Sequence, residues 1–241
     1  MDVRIVTFNM HHGRGMDGKL NLNRTARLLE QCEADLIALN EVDRYFSRRS
    51  GYVDQISWLA KQLDMYWAFG AALTLRRKQS GIIRQYGNAL LSRYPILSET
   101  THAFHKKPFA FEGRSLLEVD IAVHGTPFKI FVTHLSLNPY SRNKQIKSII
   151  GLIARVECAC TVMGDWNLSH RSRTWKTVTA YLKDACAEIG PGECGTFPSI
   201  YSKWQLDYIF VSKNIQVKEA RVIRIDPGAS DHLPLSATIV L

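Results

Sequence analysis

The chain has 241 residues, 46% hydrophobic and 22% charged, the proportions of an ordinary globular protein and a length within reach of one large two-sheet or α/β domain. No apolar run approaches the roughly 20 residues that span a bilayer, and the first residues begin a strand without the basic and then apolar stretch of a secretory leader. We therefore expect a cytoplasmic protein without stable membrane insertion. Lys and Arg number 31 against 22 Asp and Glu, a net charge of +9; such a surplus attracts polyanions, or is simply a basic surface.

In chain order, Val3–Phe8 is an apolar run ending in Thr7-Phe8-Asn9, and Asn21–Gln31 is a weak helical candidate. Leu36–Leu39 ends in Asn40-Glu41-Val42-Asp43. Val53–Leu63 carries Ile56, Leu59, Ala60 and Leu63 on one helical stripe. Asn88–Ser92, Ser115–Val123 and Lys129–Thr133 read as strands from their Val, Ile, Leu and Phe content. The last of these ends in Thr133-His134-Leu135. Ser141–Val156 repeats the helical stripe with Ile146, Ile149, Ile150 and Ile153. Thr161–Gly164 leads into Asp165-Trp166-Asn167, Arg173–Lys183 is a second weak helix, and Leu206–Val211 contains Asp207. Ser230-Asp231-His232 precedes a final strand, Leu235–Leu241. Neither a repeat nor a Pro/Gly/Ser-rich linker divides the chain, so we expect a single domain over residues 1–241 with helices lying on sheets. Cys32, Cys158, Cys160, Cys186 and Cys194 form no CxxC pair and no zinc spacing, which favours free thiols and a reducing compartment.

Polar groups thus recur where apolar strands end. Glu41 offers a hard carboxylate of the kind Mg²⁺ prefers, or is a solvated turn residue. Asp165 and Asn167 are two apart and project from one side of an extended segment. There they suit water activation and phosphate contact, or an Asp-x-Asn turn that ends the strand. Gly164 permits close approach of a ligand or of backbone. His232 can accept or donate a proton near neutral pH, with Asp207 placed to orient its ring, and His134 is a second strand-end imidazole. Neither GxSxG nor a GxxxxGK[ST] phosphate loop is present. This inventory favours water as nucleophile and a metal ion as electrophile.

The ordered set Thr7-Phe8-Asn9, Asn40-Glu41-Val42, Gly87-Asn88-Ala89-Leu90-Leu91-Ser92, Gly113-Arg114, Thr133-His134-Leu135, Gly164-Asp165-Trp166-Asn167, Leu206-Asp207-Tyr208 and Ser230-Asp231-His232 resembles the endonuclease/exonuclease/phosphatase superfamily from residue 3 to the end. The resemblance implies a DNase I-like four-layer α/β/β/α sandwich, with two packed mixed sheets flanked by helices. It implies a Mg²⁺- or Mn²⁺-dependent phosphoester hydrolase with Asn9, Glu41 and Asp231 at the metal; separately, we expect a monomer. Asp165, Asn167, His232, His134 and Asp207 would be catalytic, and Arg114 and Asn88 would face the substrate. Asn40 stands where that family commonly has Gln, and Trp166 where it commonly has Phe.

Arg44, Arg48, Arg49, Arg76, Arg77, Lys78, Arg84, Lys106, Lys107 and Arg114 cluster between these motifs, interleaved with Tyr45, Phe46, Tyr86 and Phe109. Such a mixture suits stacking on unpaired bases, so a nuclease or nucleic-acid phosphodiesterase is the leading expectation. The alternative is a phosphatase or phosphodiesterase of lipid or small-molecule phosphates.

Overall fold

Along β1 (Asp2–Asn9), Val3 and Ile5 join one apolar cluster and Val6 and Phe8 another, and all four are fully buried. A strand buried on both faces needs a layer on each side. In the computed structural model, which describes residues 1–76, 81–104, 113–190 and 194–241, those layers are a second sheet and a pair of helices. β1 pairs in parallel with β2 (Leu36–Arg44) and antiparallel with β12 (Leu235–Val240). With β3 (Tyr66–Arg76), β4 (Ile83–Ser92) and β11 (Gln216–Val222) they make a six-stranded sheet of order β11-β12-β1-β2-β4-β3.

The second sheet contains β5 (Ile96–Ala103), β6 (Ser115–Val123), β7 (Thr126–His134), β8 (Ala159–Asp165), β10 (Asp207–Ser212) and β9 (Leu182–Asp184), laid side by side in that order. β7 and β8 are parallel; the other pairs are antiparallel. Val3, Ile5, Leu36 and Leu90 of the first sheet meet Leu117, Val119, Ile130, Val132 and Met163 of the second in one core. Helices α1 (Leu22–Gln31) and α2 (Gln55–Leu63) cover the outer face of the first sheet through Leu28, Leu29, Ile56 and Leu59. α3 (Pro139–Ile153) and α4 (Arg173–Thr179) cover the second through Ile146, Ile149 and Val178. The result is the expected four-layer sandwich, and α5 (Ala185–Ile189) adds one short turn.

Each helix starts at a side chain that accepts from a free first-turn N–H: Asn21, Asp54, Asn138, Ser172 and Asp184. Two expectations need correction. The helix predicted over Arg173–Lys183 stops at Thr179, and the chain re-enters the sheet as β9, because Leu182 is needed in the core beneath α3. Cys186 and Cys194 are joined by a disulfide, whereas Cys32, Cys158 and Cys160 are free. Among the described residues no helix is long and apolar enough to cross a membrane.

Candidate active site

The strand ends carrying the polar clusters meet at one end of the two sheets. β8 lies between β7 and β10, and the register sets His134 beside Asp165 on one flank and Asp207 on the other. In the facing sheet, Asn9 lies opposite Asn40. Glu41 is aimed by a fault in the ladder. Leu39 pairs with Ala89 and Val42 with Gly87, so Asn40 and Glu41 share one partner position, and Glu41 takes φ +60°. A bulge of this kind re-aims a side chain, and a carboxylate held at positive φ is strain found typically at functional sites.

Asn40 locks the two sheets together. Fully buried, it donates through Nδ2 to Asn88 Oδ1 (2.8 Å) and to the Thr133 carbonyl (2.9 Å), and its Oδ1 accepts from the Asp165 N–H (2.8 Å). That close approach depends on Gly164. Its φ is +140°, and a Cβ there would sit 1.8 Å from the Thr133 carbonyl oxygen. The glycine therefore serves the approach of backbone to backbone.

Asp165 Oδ2 is where the site converges. It accepts from Asn9 Nδ2 at 3.2 Å and lies 3.4 Å from His134 Nε2 and 3.7 Å from His232 Nε2. Its other oxygen accepts from the Asn167 N–H at 3.0 Å. The turn expected of an Asp-x-Asn pair is thus present, and one oxygen still faces the site. Asn9 Nδ2 also donates to Glu41 Oε1 at 3.3 Å. His232 Nδ1 bonds Asp207 Oδ2 at 2.7 Å, while the ring lies tilted against Phe197, centroids 4.9 Å apart.

These contacts separate the titration behaviour of the groups. Burial, then the Asp207 charge, raise the Asp165 carboxyl well above the usual carboxylate range, only partly offset by His232 and the Asn167 and Asn9 donors. For His232 burial opposes the charge, but Asp207, Asp165 and Asp231 outweigh it and push the imidazole up to about 10. Burial and the nearby Arg114 cation hold His134 down at about 3, so it is neutral. Burial acts against ionisation of Glu41, yet the adjacent His12 imidazole, the Asn9 donor and His11 bring it below the ordinary range. Pairs of titratable groups driven apart in this way mark acid and base roles.

The remaining expected residues take varied positions. Asp231 is partly exposed and its Oδ1 is 3.8 Å from His11 Nδ1. Asn167 Nδ2 donates to the Leu135 carbonyl. Asn88 is 2% exposed, with both ends of its amide engaged inside the protein, by Asn40 and by the Ser115 carbonyl. It reaches the site through Asn40. Arg114 is buried and its charge bears on His134 and Tyr86. The basic loops are partly neutralised from within. Arg44 forms a bidentate pair with Asp54 and stacks over Trp67 and Phe69; Arg49 does the same with the fully buried Asp43 and stacks over Phe46 and Tyr86. Arg77, Lys78, Lys106, Lys107 and Phe109 lie outside the described residues. Sequence reasoning missed His11 and His12, which follow Asn9 and face Glu41 and Asp231. It also missed the bridging work of Asn40. Two consecutive histidines, one residue beyond a strand-end Asn, were the available signal.

Two strand-end carboxylates, two imidazoles and a re-aimed glutamate thus meet at the mouth of a paired-sheet, DNase I-like sandwich. The model of the Endonuclease/Exonuclease/phosphatase family matches residues 6–232, and the chain belongs to that family, whose members are phosphoesterases. No curated protein matches the sequence significantly. Among solved structures, an endonuclease/exonuclease/phosphatase from Beutenbergia cavernae superposes with TM-score 0.84 at 23% identity, over 100% of this chain and 72% of that one. The mannosyl-6-phosphatase of Bacteroides thetaiotaomicron gives TM-score 0.75 at 14% identity, over 99% and 100% of the two chains. D. rerio TDP2 complexed with a single-strand DNA product gives 0.74 at 18%, over 100% and 99%. At these identities the likeness is one of fold.

Proposed function

We propose that the protein is a divalent-metal-dependent phosphoester hydrolase that activates water, with nucleic-acid phosphodiesters as its substrate class. The observation that carries the reading is the convergence of Asn9, His134 and His232 on one oxygen of Asp165. A carboxylate with a raised proton affinity is a competent general base near neutral pH. His232, kept charged by Asp207, presents its Nε2–H to a phosphoryl oxygen and stabilises charge that grows there. His134, neutral, lies against the same Asp165 oxygen, and the Asn167 amide is held nearby by the Leu135 carbonyl. The cation, Mg²⁺ or Mn²⁺, would be held by Glu41 with Asn9 and Asp231 nearby. The site fits it, since the Glu41 carboxylate, re-aimed by the bulge, sits beside the unbonded buried Nδ1 of His12. What a bound divalent ion supplies is polarisation of a phosphoryl oxygen.

The net charge of +9 supports nucleic acid as the substrate. The internal pairing of Arg44 and Arg49 favours a second reading, a small phosphate ester that needs no long cationic track. A panel of single- and double-stranded oligonucleotides, inositol phosphates and sugar phosphates, with Mg²⁺ or with EDTA, separates them. Oligonucleotide cleavage that EDTA abolishes is the expected result; turnover of small esters alone establishes the second reading. Asp165→Ala and His232→Ala should each lose at least about 10²-fold in rate, and unchanged turnover in both overturns the mechanism.

A further inference from the structure

Among the described residues two sets of histidine and carboxylate groups bring their donor atoms within 4.8 Å of one another: Asp165, Asp207 and His232, and His11, His12 and Glu41. The first set is already bonded internally, because Asp207 occupies His232 Nδ1 at 2.7 Å. The second is different. His12 is 5% exposed, its Nδ1 has no hydrogen-bond partner, and the nearest Glu41 oxygen is 3.9 Å away, too far for a hydrogen bond. A buried nitrogen left without a partner is costly unless something else meets it. Its backbone is committed to the placement. The His12 carbonyl accepts from Gln55 Nε2 at 2.7 Å, and Gln55 in turn accepts from the Asp43 N–H. His11, His12 and Gly13 all take positive φ, and the two rings lie 4.5 Å apart, edge to face. His11 then continues the row to Asp231.

We propose that His11 and His12 join Glu41 in holding the cation, so that this member of the family binds a transition-metal ion in preference to Mg²⁺. The inference deepens the metal-dependent reading given above and rests on it. Carboxylate and water ligands suit Mg²⁺, which keeps its own hydration and has little use for imidazole. Two imidazole nitrogens with one carboxylate suit a first-row transition ion instead. The backbone that carries the two rings is packed from behind by Gln55 and Leu22, so the donors are preorganised.

The test uses the full chain stripped with a chelator and titrated with Mn²⁺, read by electron paramagnetic resonance. Nitrogen modulation on the bound ion is expected, with Mn²⁺ binding at least about 10-fold tighter than Mg²⁺ in competition. His12→Gln and the more exposed His11→Ala should each weaken Mn²⁺ by about 10-fold and reduce the modulation, circular dichroism serving to confirm the fold. Mg²⁺ affinity should change little in either variant. Mn²⁺ bound without nitrogen modulation, or modulation that survives both substitutions, overturns the histidine ligation and leaves metal-dependent hydrolysis standing. No divalent ion bound at all overturns both.

Discussion

Replacing Asn40 by Leu keeps the approximate volume and removes three hydrogen bonds beneath the site, two of which cross between the sheets. Three buried groups lose a partner: the Asp165 N–H, the Thr133 carbonyl and the Asn88 Oδ1. A buried polar group left unpaired costs about 1–3 kcal/mol. Allowing for relaxation, the loss should be about 3–6 kcal/mol, a large share of the roughly 5–15 kcal/mol that holds a domain folded. Urea unfolding followed by circular dichroism gives the difference directly, and the melting temperature should fall by roughly 6–24 °C. Asn88→Ala is the milder companion, expected to cost about 1–3 kcal/mol, and it remains measurable if the leucine variant does not fold. Turnover should drop most in Asn40→Leu, where the Asp165 backbone loses its anchor, and less in Asn88→Ala, where Asn40 loses one of the groups that orient its amide. A loss under about 1 kcal/mol in Asn40→Leu would refute the account, because the three groups would then have found other partners.

Gly164→Ala places a carbon 1.8 Å from the Thr133 carbonyl oxygen at a φ of +140°; it should cost at least about 3 kcal/mol, and wild-type melting would exclude that close approach. Asp207→Asn tests the coupled charges through the pH–rate profile. Activity falls as pH drops through the raised Asp165 value and as pH rises through the His232 value of about 10. Asp207 raises both, so its loss should move both limbs to lower pH, and a fixed basic limb would show that His232 does not need its charge. Arg49→Met strands the buried Asp43 carboxylate. Because Arg49 is itself partly exposed, a loss of about 1–3 kcal/mol in thermal unfolding is expected, and no change would mean that water reaches Asp43.

Eight strands were legible in the sequence, and they are the eight interior strands of the two sheets: β1, β2, β4 and β12 in one, β6, β7, β8 and β10 in the other. Each is covered on both faces, so each reads as an apolar run. The four that were missed, β3, β5, β9 and β11, are the sheet edges. β5 (ILSETTHA) and β11 (QVKEARV) face water along most of their length, where polar residues guard against unwanted pairing and erase the strand signal. The site divides in the same way. Asp165 and Asp207 stand at strand ends, Glu41 follows the apolar half of β2, and His232 sits just ahead of β12, so the edge of an apolar run pointed to each. Asn40 sits inside its strand, and its importance comes from partners 48, 93 and 125 residues away, a relation no local pattern expresses. His11 and His12 lie on a short 3₁₀ turn whose left-handed backbone leaves no periodic trace.

The place of β12 between β11 and β1 has a consequence for how the molecule comes into being. Val3 pairs with Ile239 and Ile5 with Ala237, and Ser230 Oγ bonds the Asn9 carbonyl across 221 residues. While the chain is being synthesised, the flank of β1 that will meet β12 stays unpaired until residues 235–240 have left the ribosome. Pairings of such range make folding slow and expose an apolar strand meanwhile. They also place His232 opposite Asp165 only at the final closure. Folding and the onset of activity should therefore share one late step, and a chain ending before β12 would keep His232 but lack an interior strand of its first sheet and the closure that brings that imidazole to Asp165.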